Sequence, residues 1–204
     1  LRLVGAIPAI PLHAIAVAPA KAVRLLPVTA RLDCLFMNLR EARALAGDPH
    51  ADAVGAAQAL RDKGLRRGVV TAGGAPVTGF DADGFFTLQP PQPRRVADVT
   101  GAGDSVTGTA IAAMMHGRGF RQALREGLAA ALITIESGRS VAGWSRGEFD
   151  AALALVPAPQ AAIDGVCAQN RRFWRDWHDN HDAHESQEMQ NSYMHIKLPR
   201  RPFA

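Results

Sequence analysis

The stretch 98-DVTGAGDSVTG-108 decides how this chain reads. Just downstream, Val106, Ala110, Ile111, Met114 and Met115 recur at helical spacing, so an apolar helical face begins close to Asp104. Gly101 and Gly103 therefore stand at a helix entrance. Such an entrance presents unpaired backbone N–H groups and the positive end of the peptide dipoles, and glycine lets an anion approach the backbone closely. Asp104 is the anomaly. A carboxylate in an anion-binding turn is costly unless a metal ion, or a proton that it is about to accept, offsets the repulsion.

Composition sets the frame around that turn. A chain of 204 residues that is 48% hydrophobic can bury a proper core, and one domain with an appendage is the natural expectation. The formal net charge of +4 comes without a dense run of Lys and Arg, which argues against nucleic-acid binding. Cys34 and Cys167 are far apart and form no metal or disulfide framework, as fits a reducing cytoplasm. The opening run LRLVGAIPAIPLHAIAVAPA imitates a secretory signal, but Pro8 and Pro11 interrupt it; a loop and then a strand at 12–17 are expected. No apolar stretch reaches the ~18 residues that would span a bilayer.

Along the chain, a short helix at 21–27 precedes a strand at 32–37, helices at 39–46 and 52–63, and a strand at 68–72. This β-α-β-α-β order implies a parallel sheet with helices on its faces and ligands at the carboxyl ends of its strands. Residues 77–88, with an Asp/Gly turn, read as a hairpin, and PPQPRR at 90–95 as a stiff connector. Helices follow from Asp104, over 120–136 with Phe120, Leu124, Leu128, Ala131, Leu132 and Ile135 on one face, and over 148–155. Beyond about Ala158 the alternation stops. The remaining 158–204 reads as a polar helical or disordered tail.

The opening stretch is neither a P-loop, lacking the Lys-Ser/Thr pair, nor a dinucleotide fingerprint, since Val106 replaces the third glycine. D-x-T-G-A-G-D instead resembles the signature of the ribokinase-like (PfkB) carbohydrate and nucleoside kinases. Two more motifs agree with it in order: Asn38-Leu-Arg-Glu41 is similar to the family's N-x-x-E, and Thr71-Ala-Gly73 to its T-x-G. The resemblance covers roughly residues 12–157. It implies a doubly wound, mostly parallel α/β sheet with helices on both faces, equivalent to the second half of such a kinase, with the amino-terminal half missing. That half supplies the sugar-binding Asp, a Gly-Gly motif, most lid strands and several central strands.

By the same resemblance, Asp104 would be the general base that deprotonates an acceptor hydroxyl as it attacks the γ-phosphorus of ATP. Gly101, Ala102 and Gly103 would form the anion hole. Asn38 and Glu41 would hold Mg²⁺ through its water shell, although an Asn with a Glu three residues later is also a capping-box variant, and both roles can coexist. Thr71 and Gly73 would line the nucleotide. Thr100, with Asp98, would belong to a monovalent-cation loop for K⁺, and simple turn chemistry is the alternative.

Pro76 departs from the family's T-x-G-x-x-G, so an altered nucleotide loop is expected. The segment 133-ITIESGRSVAG-143 resembles the L-T-L-E-S…V segment of pseudouridine kinases, and VAPAKA at 17–22 their V-S-x-x-K-A turn; Glu136 and Ser137 read equally as the polar end of a helix. The resulting expectation is an ATP-dependent kinase of a sugar or nucleoside, pseudouridine 5′-hydroxyl first and ribose or another free sugar second. Its rival is a catalytically silent nucleotide-binding or regulatory module. The expected partner is a small sugar or nucleoside, with homodimer formation open and neither nucleic acid nor membrane involved. In the tail, His178, His181 and His184 read as a solvated face rather than a metal site, and Trp174 and Trp177 as docking residues.

Overall fold

The computed structural model describes residues 10–161. The chain divides into two compact units, Leu1–Gln160 and Ala161–Ala204. Apart from Ala161, the described residues belong to the first. The expectations for His178, His181, His184, Trp174 and Trp177 lie outside the described residues.

The first strand, β1 (His13–Ile15), leads into a four-residue helix α1 (Pro19–Ala22) that tightens at once into a 3-10 helix (Val23–Arg31). The short helix expected at 21–27 is thus replaced by a longer, tighter one. Pro27 explains the difference: it has no N–H for an α-helical bond, and its ring crowds the carbonyl four residues back.

Strand β2 (Cys34–Asn38) is followed by α2 (Leu39–Ala46) and α3 (Ala53–Asp62), then by β3 (Gly68–Ala72), β4 (Ala75–Asp81) and β5 (Gly84–Leu88). The strands lie in the order β1-β2-β3-β4-β5, parallel from β1 to β3 and antiparallel from β3 to β5. The expected hairpin is present, and it makes the sheet mixed. Helices α4 (Ala102–Met115), α5 (Phe120–Ser137) and α6 (Arg146–Ala154) follow, and β6 (Gln160–Ala161) closes the described chain.

Both faces of the sheet are covered, as a doubly wound α/β fold requires. Strand alternation sends Cys34, Phe36, Val69, Val77, Phe86 and Leu88 into one core with α4, α5 and α6. Leu35, Met37, Val70 and Phe80 are buried on the other side, where α2 and α3 pack. Phenylalanines cover glycines across neighbouring strands: Phe80 pairs with Gly68 and Phe86 with Gly79, and a Cβ on either glycine would sit 2.3–2.4 Å from the ring.

Of the face expected on α4, Val106 and Ala110 are buried and Ile111 and Met114 pack against the core, and Met115 alone departs. Val106, Thr107, Ala110 and Ala113 are buried while Met115 is 80% exposed. Helix α4 approaches α5 closely: a Cβ on Gly127 would lie 2.6 Å from the Val106 carbonyl oxygen, so small residues occupy the contact.

Candidate active site

Two groups of residues are assembled by different elements. The first lies at the carboxyl ends of β2 and β3, which end side by side with Asn38 paired to Thr71. Asn38 caps α2 in extended backbone, its Oδ1 accepting the Glu41 N–H at 3.0 Å, while Glu41 Oε2 accepts the Asn38 N–H at 2.9 Å. This is a complete capping box. Glu41 is 3% exposed, yet its Oε1 takes no hydrogen bond among the described residues. With Oε2 engaged in the box, the remaining Glu41 oxygen fits Mg²⁺ as a partner of its water shell, the usual way this ion is held beside phosphates.

Thr71 sits where the β3–β4 register shifts between Val70 and Ala72, and its hydroxyl donates to the Met37 carbonyl at 3.4 Å. Such an irregularity re-aims a side chain out of the ladder. Gly73 opens the tight turn into β4 at φ +63, with open space where a Cβ would stand. Pro76, exposed in β4, falls in the same irregular stretch, where a residue without an N–H is tolerated.

The second group is the entrance to α4. Asp98 Oδ1 accepts both the N–H and the hydroxyl of Thr100 at 2.9 Å, and these bonds, the backbone one first, hold its carboxyl below the usual range. Gly101 follows at φ +81, and a Cβ there would meet the Ser140 carbonyl oxygen at 2.0 Å. No side chain caps α4. The Ala102 N–H turns back to the Val99 carbonyl at 3.3 Å, so Ala102 is a poor member of the expected anion hole. The next intrahelical bond is Ser105 N–H to Gly101, which leaves the N–H groups of Gly103 and Asp104 facing outward. Gly103 has nothing within 4 Å of a would-be Cβ. Asp104 is exposed in this first turn, and among the described residues no hydrogen bond or ion pair engages its carboxylate.

A clamp that sequence reasoning did not foresee holds this entrance. Glu136 accepts the Arg94 N–H at 2.7 Å and its guanidinium at 2.9 Å, and its own carbonyl accepts from Arg95. The Arg94 hydrogen bond keeps the Glu136 carboxyl below its usual range against a smaller opposing effect of burial. The N–H groups of Ala97 and Asp98 both reach the Ile135 carbonyl, and Ser105 Oγ meets Thr134 Oγ1 at 2.8 Å. Glu136 is thus more than a polar helix end: the last turn of α5 is the platform on which residues 94–105 rest. Its signal in the sequence was an acid at a helix end, which fits too many roles.

A family model described as pfkB family carbohydrate kinase matches residues 12–145. The chain belongs to that family. Among solved structures, this pfkB-family chain is 43% identical to a carbohydrate kinase from Agrobacterium tumefaciens, with a TM-score of 0.61, covering 74% of this chain and 48% of that one. It is 22% identical to the Arabidopsis thaliana ribokinase complexed with ribose and ATP, with a TM-score of 0.63 and coverage of 74% and 51%. An E. coli protein named provisionally as Ribokinase II, in complex with ATP and Mg²⁺, is 23% identical at a TM-score of 0.56, with coverage of 67% and 44%. The chain thus spans about half the length of these structures. No curated protein matches it.

Proposed function

We propose that this pfkB-family chain carries the phosphoryl-transfer half of an ATP-dependent kinase acting on a sugar or nucleoside hydroxyl. The observation that carries the reading is Asp104: an exposed, unengaged carboxylate in the first turn of an uncapped helix, beside outward N–H groups and an open glycine. A carboxylate accepts a proton where an alcohol oxygen begins to bond to phosphorus. The acceptor O–H proton passes to Asp104, the oxygen attacks the γ-phosphorus, and the bond to the β-phosphate oxygen breaks to release ADP. The N–H groups of Gly103 and Asp104, with the helix dipole behind them, stabilise the equatorial oxygens. Gly101 sets the turn rather than the hole.

Asn38 and Glu41 would hold the hydrated Mg²⁺, which supplies charge neutralisation on the nucleotide phosphates when bound. Thr71 and Gly73 would line the nucleotide. Asp98, with Oδ1 taken by Thr100, retains Oδ2 for a monovalent cation such as K⁺. The pseudouridine 5′-hydroxyl as acceptor rests on the likeness of 133–143 and 17–22 to pseudouridine kinases, with ribose as the second choice.

Two measurements on the same preparation test this: ATP binding by calorimetry and ADP release with pseudouridine, ribose or fructose. Binding with acceptor-dependent turnover supports the kinase. Binding without turnover on any acceptor supports the silent module, a reading that Pro76 favours.

A further inference from the structure

We propose a second small-molecule site at the opposite end of the sheet, one that takes a multivalent oxyanion such as a phosphate ester or a polycarboxylate. A cavity of about 420 Å³ there is lined by Asp33, Arg61, Gly64, Leu65, Arg66, Arg67, Asp81 and Ala82. Asp33 precedes β2 and Arg67 precedes β3, whereas Asn38 and Thr71 end those strands. At ~3.3 Å per residue the two sites are therefore about 16 Å apart, separated by the length of a strand. The volume falls within the usual range for small-molecule sites, about 300–1,000 Å³.

The charges are arranged for an anion. Both lining carboxylates are already matched: Asp33 by Arg67 at 3.3 Å, and Asp81 by Arg121 of α5, which donates to both of its oxygens at 2.8 and 2.9 Å. Asp83 also acts on Arg121 but lies outside the lining, and Asp62 accepts from Gln58. Two cations are left over. The Arg61 guanidinium lies over the Phe85 ring at 5.3 Å, a contact that orders it and leaves its charge uncancelled. Arg66 is exposed and has no carboxylate or ring partner among the described residues.

Around them, ring contacts and ion pairs order the wall: Arg67 sits over Phe120 at 5.7 Å and Arg121 over Phe86 at 4.6 Å. Planar guanidiniums held this way recognise phosphate or carboxylate through paired N–H donors with little ordering cost left to bear. Arg61 and Arg66 would contact the ligand directly, and Arg67 and Arg121 would keep the acidic lining neutral toward it.

The test is calorimetric titration of the chain with pyrophosphate and with citrate at matched ionic strength, repeated for Arg66→Glu, Arg61→Gln and, as a remote control, Arg146→Gln. The titrations are also repeated for Gly103→Ala, which crowds the α4 entrance and leaves this cavity untouched, so that anion binding there and here are told apart without relying on the kinase reading. Losing one charge-assisted contact weakens binding by about tenfold or more. Arg66→Glu should cost at least that, Arg61→Gln about as much, and Arg146→Gln nothing. A preference for pyrophosphate identifies a phosphate ester as the ligand class, and a preference for citrate a polycarboxylate. Binding of neither probe by the unaltered chain, or equal binding by unaltered and Arg66→Glu proteins, overturns the proposal.

Discussion

Gly101 and Gly103 stand two residues apart in one motif, yet the structure gives them opposite jobs, and replacing each with alanine separates them. At Gly101 the backbone is left-handed, φ +81, which costs an L-residue about 1–2 kcal/mol. An added Cβ would also lie 2.0 Å from the Ser140 carbonyl oxygen, a backbone atom that cannot swing aside. Forcing the two segments apart adds roughly 1–3 kcal/mol, as overpacking does. Gly101→Ala should therefore lose about 2–5 kcal/mol of stability. Gly103 is helical and open, with nothing within 4 Å of a Cβ. Alanine there should be neutral or gain up to about 1 kcal/mol through helix propensity. Its methyl would nevertheless stand where a phosphoryl oxygen must approach the N–H groups, so turnover should fall by about 10²-fold or more, comparable to loss of one anion-hole donor. Urea unfolding and ADP-release kinetics on both variants read the two effects. A Gly103→Ala protein that keeps full turnover, or a Gly101→Ala protein as stable as the parent, refutes the reasoning.

Three further outcomes follow from the packing and the charges. Because the folded-state carboxyl of Glu136 titrates below its ordinary value of 4.5, its hold on Arg94 is fully present above that pH and is lost as pH falls through the lowered value. Glu136→Gln should flatten the acid limb of a stability–pH curve; an unchanged limb would show that the clamp contributes nothing. Burial is the largest single influence and would raise the Asp81 carboxyl, but the Arg121 hydrogen bonds and charge, the Asp83 N–H and the Arg67 charge together lower it, so Asp81→Asn should cost roughly 1–3 kcal/mol in urea unfolding. Gly127→Ala should cost about 1–3 kcal/mol by pushing α5 off the Val106 carbonyl, whereas the same change at open Gly108 should not.

Much of this architecture was legible in the sequence because local and tertiary demands agree. The 34–38 and 68–72 runs are short, apolar and flanked by breakers, and α2 announces itself through Asn38 and Glu41, whose reciprocal bonds the structure shows. Pattern misleads where tertiary contact overrides it. Met115 fits the helical period and lies exposed, whereas α4 meets α5 where Gly127 lies against the Val106 backbone. The 3-10 helix is not legible in the sequence, because Pro27 has the character of a helix end and lies in its interior.

The candidate site divides the same way. Its motif residues can be found one stretch at a time, whereas the Glu136 platform joins residues 42 apart and the arginine cavity gathers the approach to β2, α3, the turn after it and β4. Nothing in a local window marks such meetings. Ala102 illustrates the finer limit: the motif made it one of three equal donors, and the turn geometry directs its N–H to Val99 instead.

The most direct test of the kinase account is Asp104→Asn, with ADP release and ATP affinity measured on the same protein. Asparagine keeps the size and removes the base, so turnover should fall by about 10²–10⁴-fold while ATP binds within a few-fold of the parent. Turnover at the parental rate, or a loss of ATP binding that matches the loss of turnover, would contradict the assignment of Asp104 as the base.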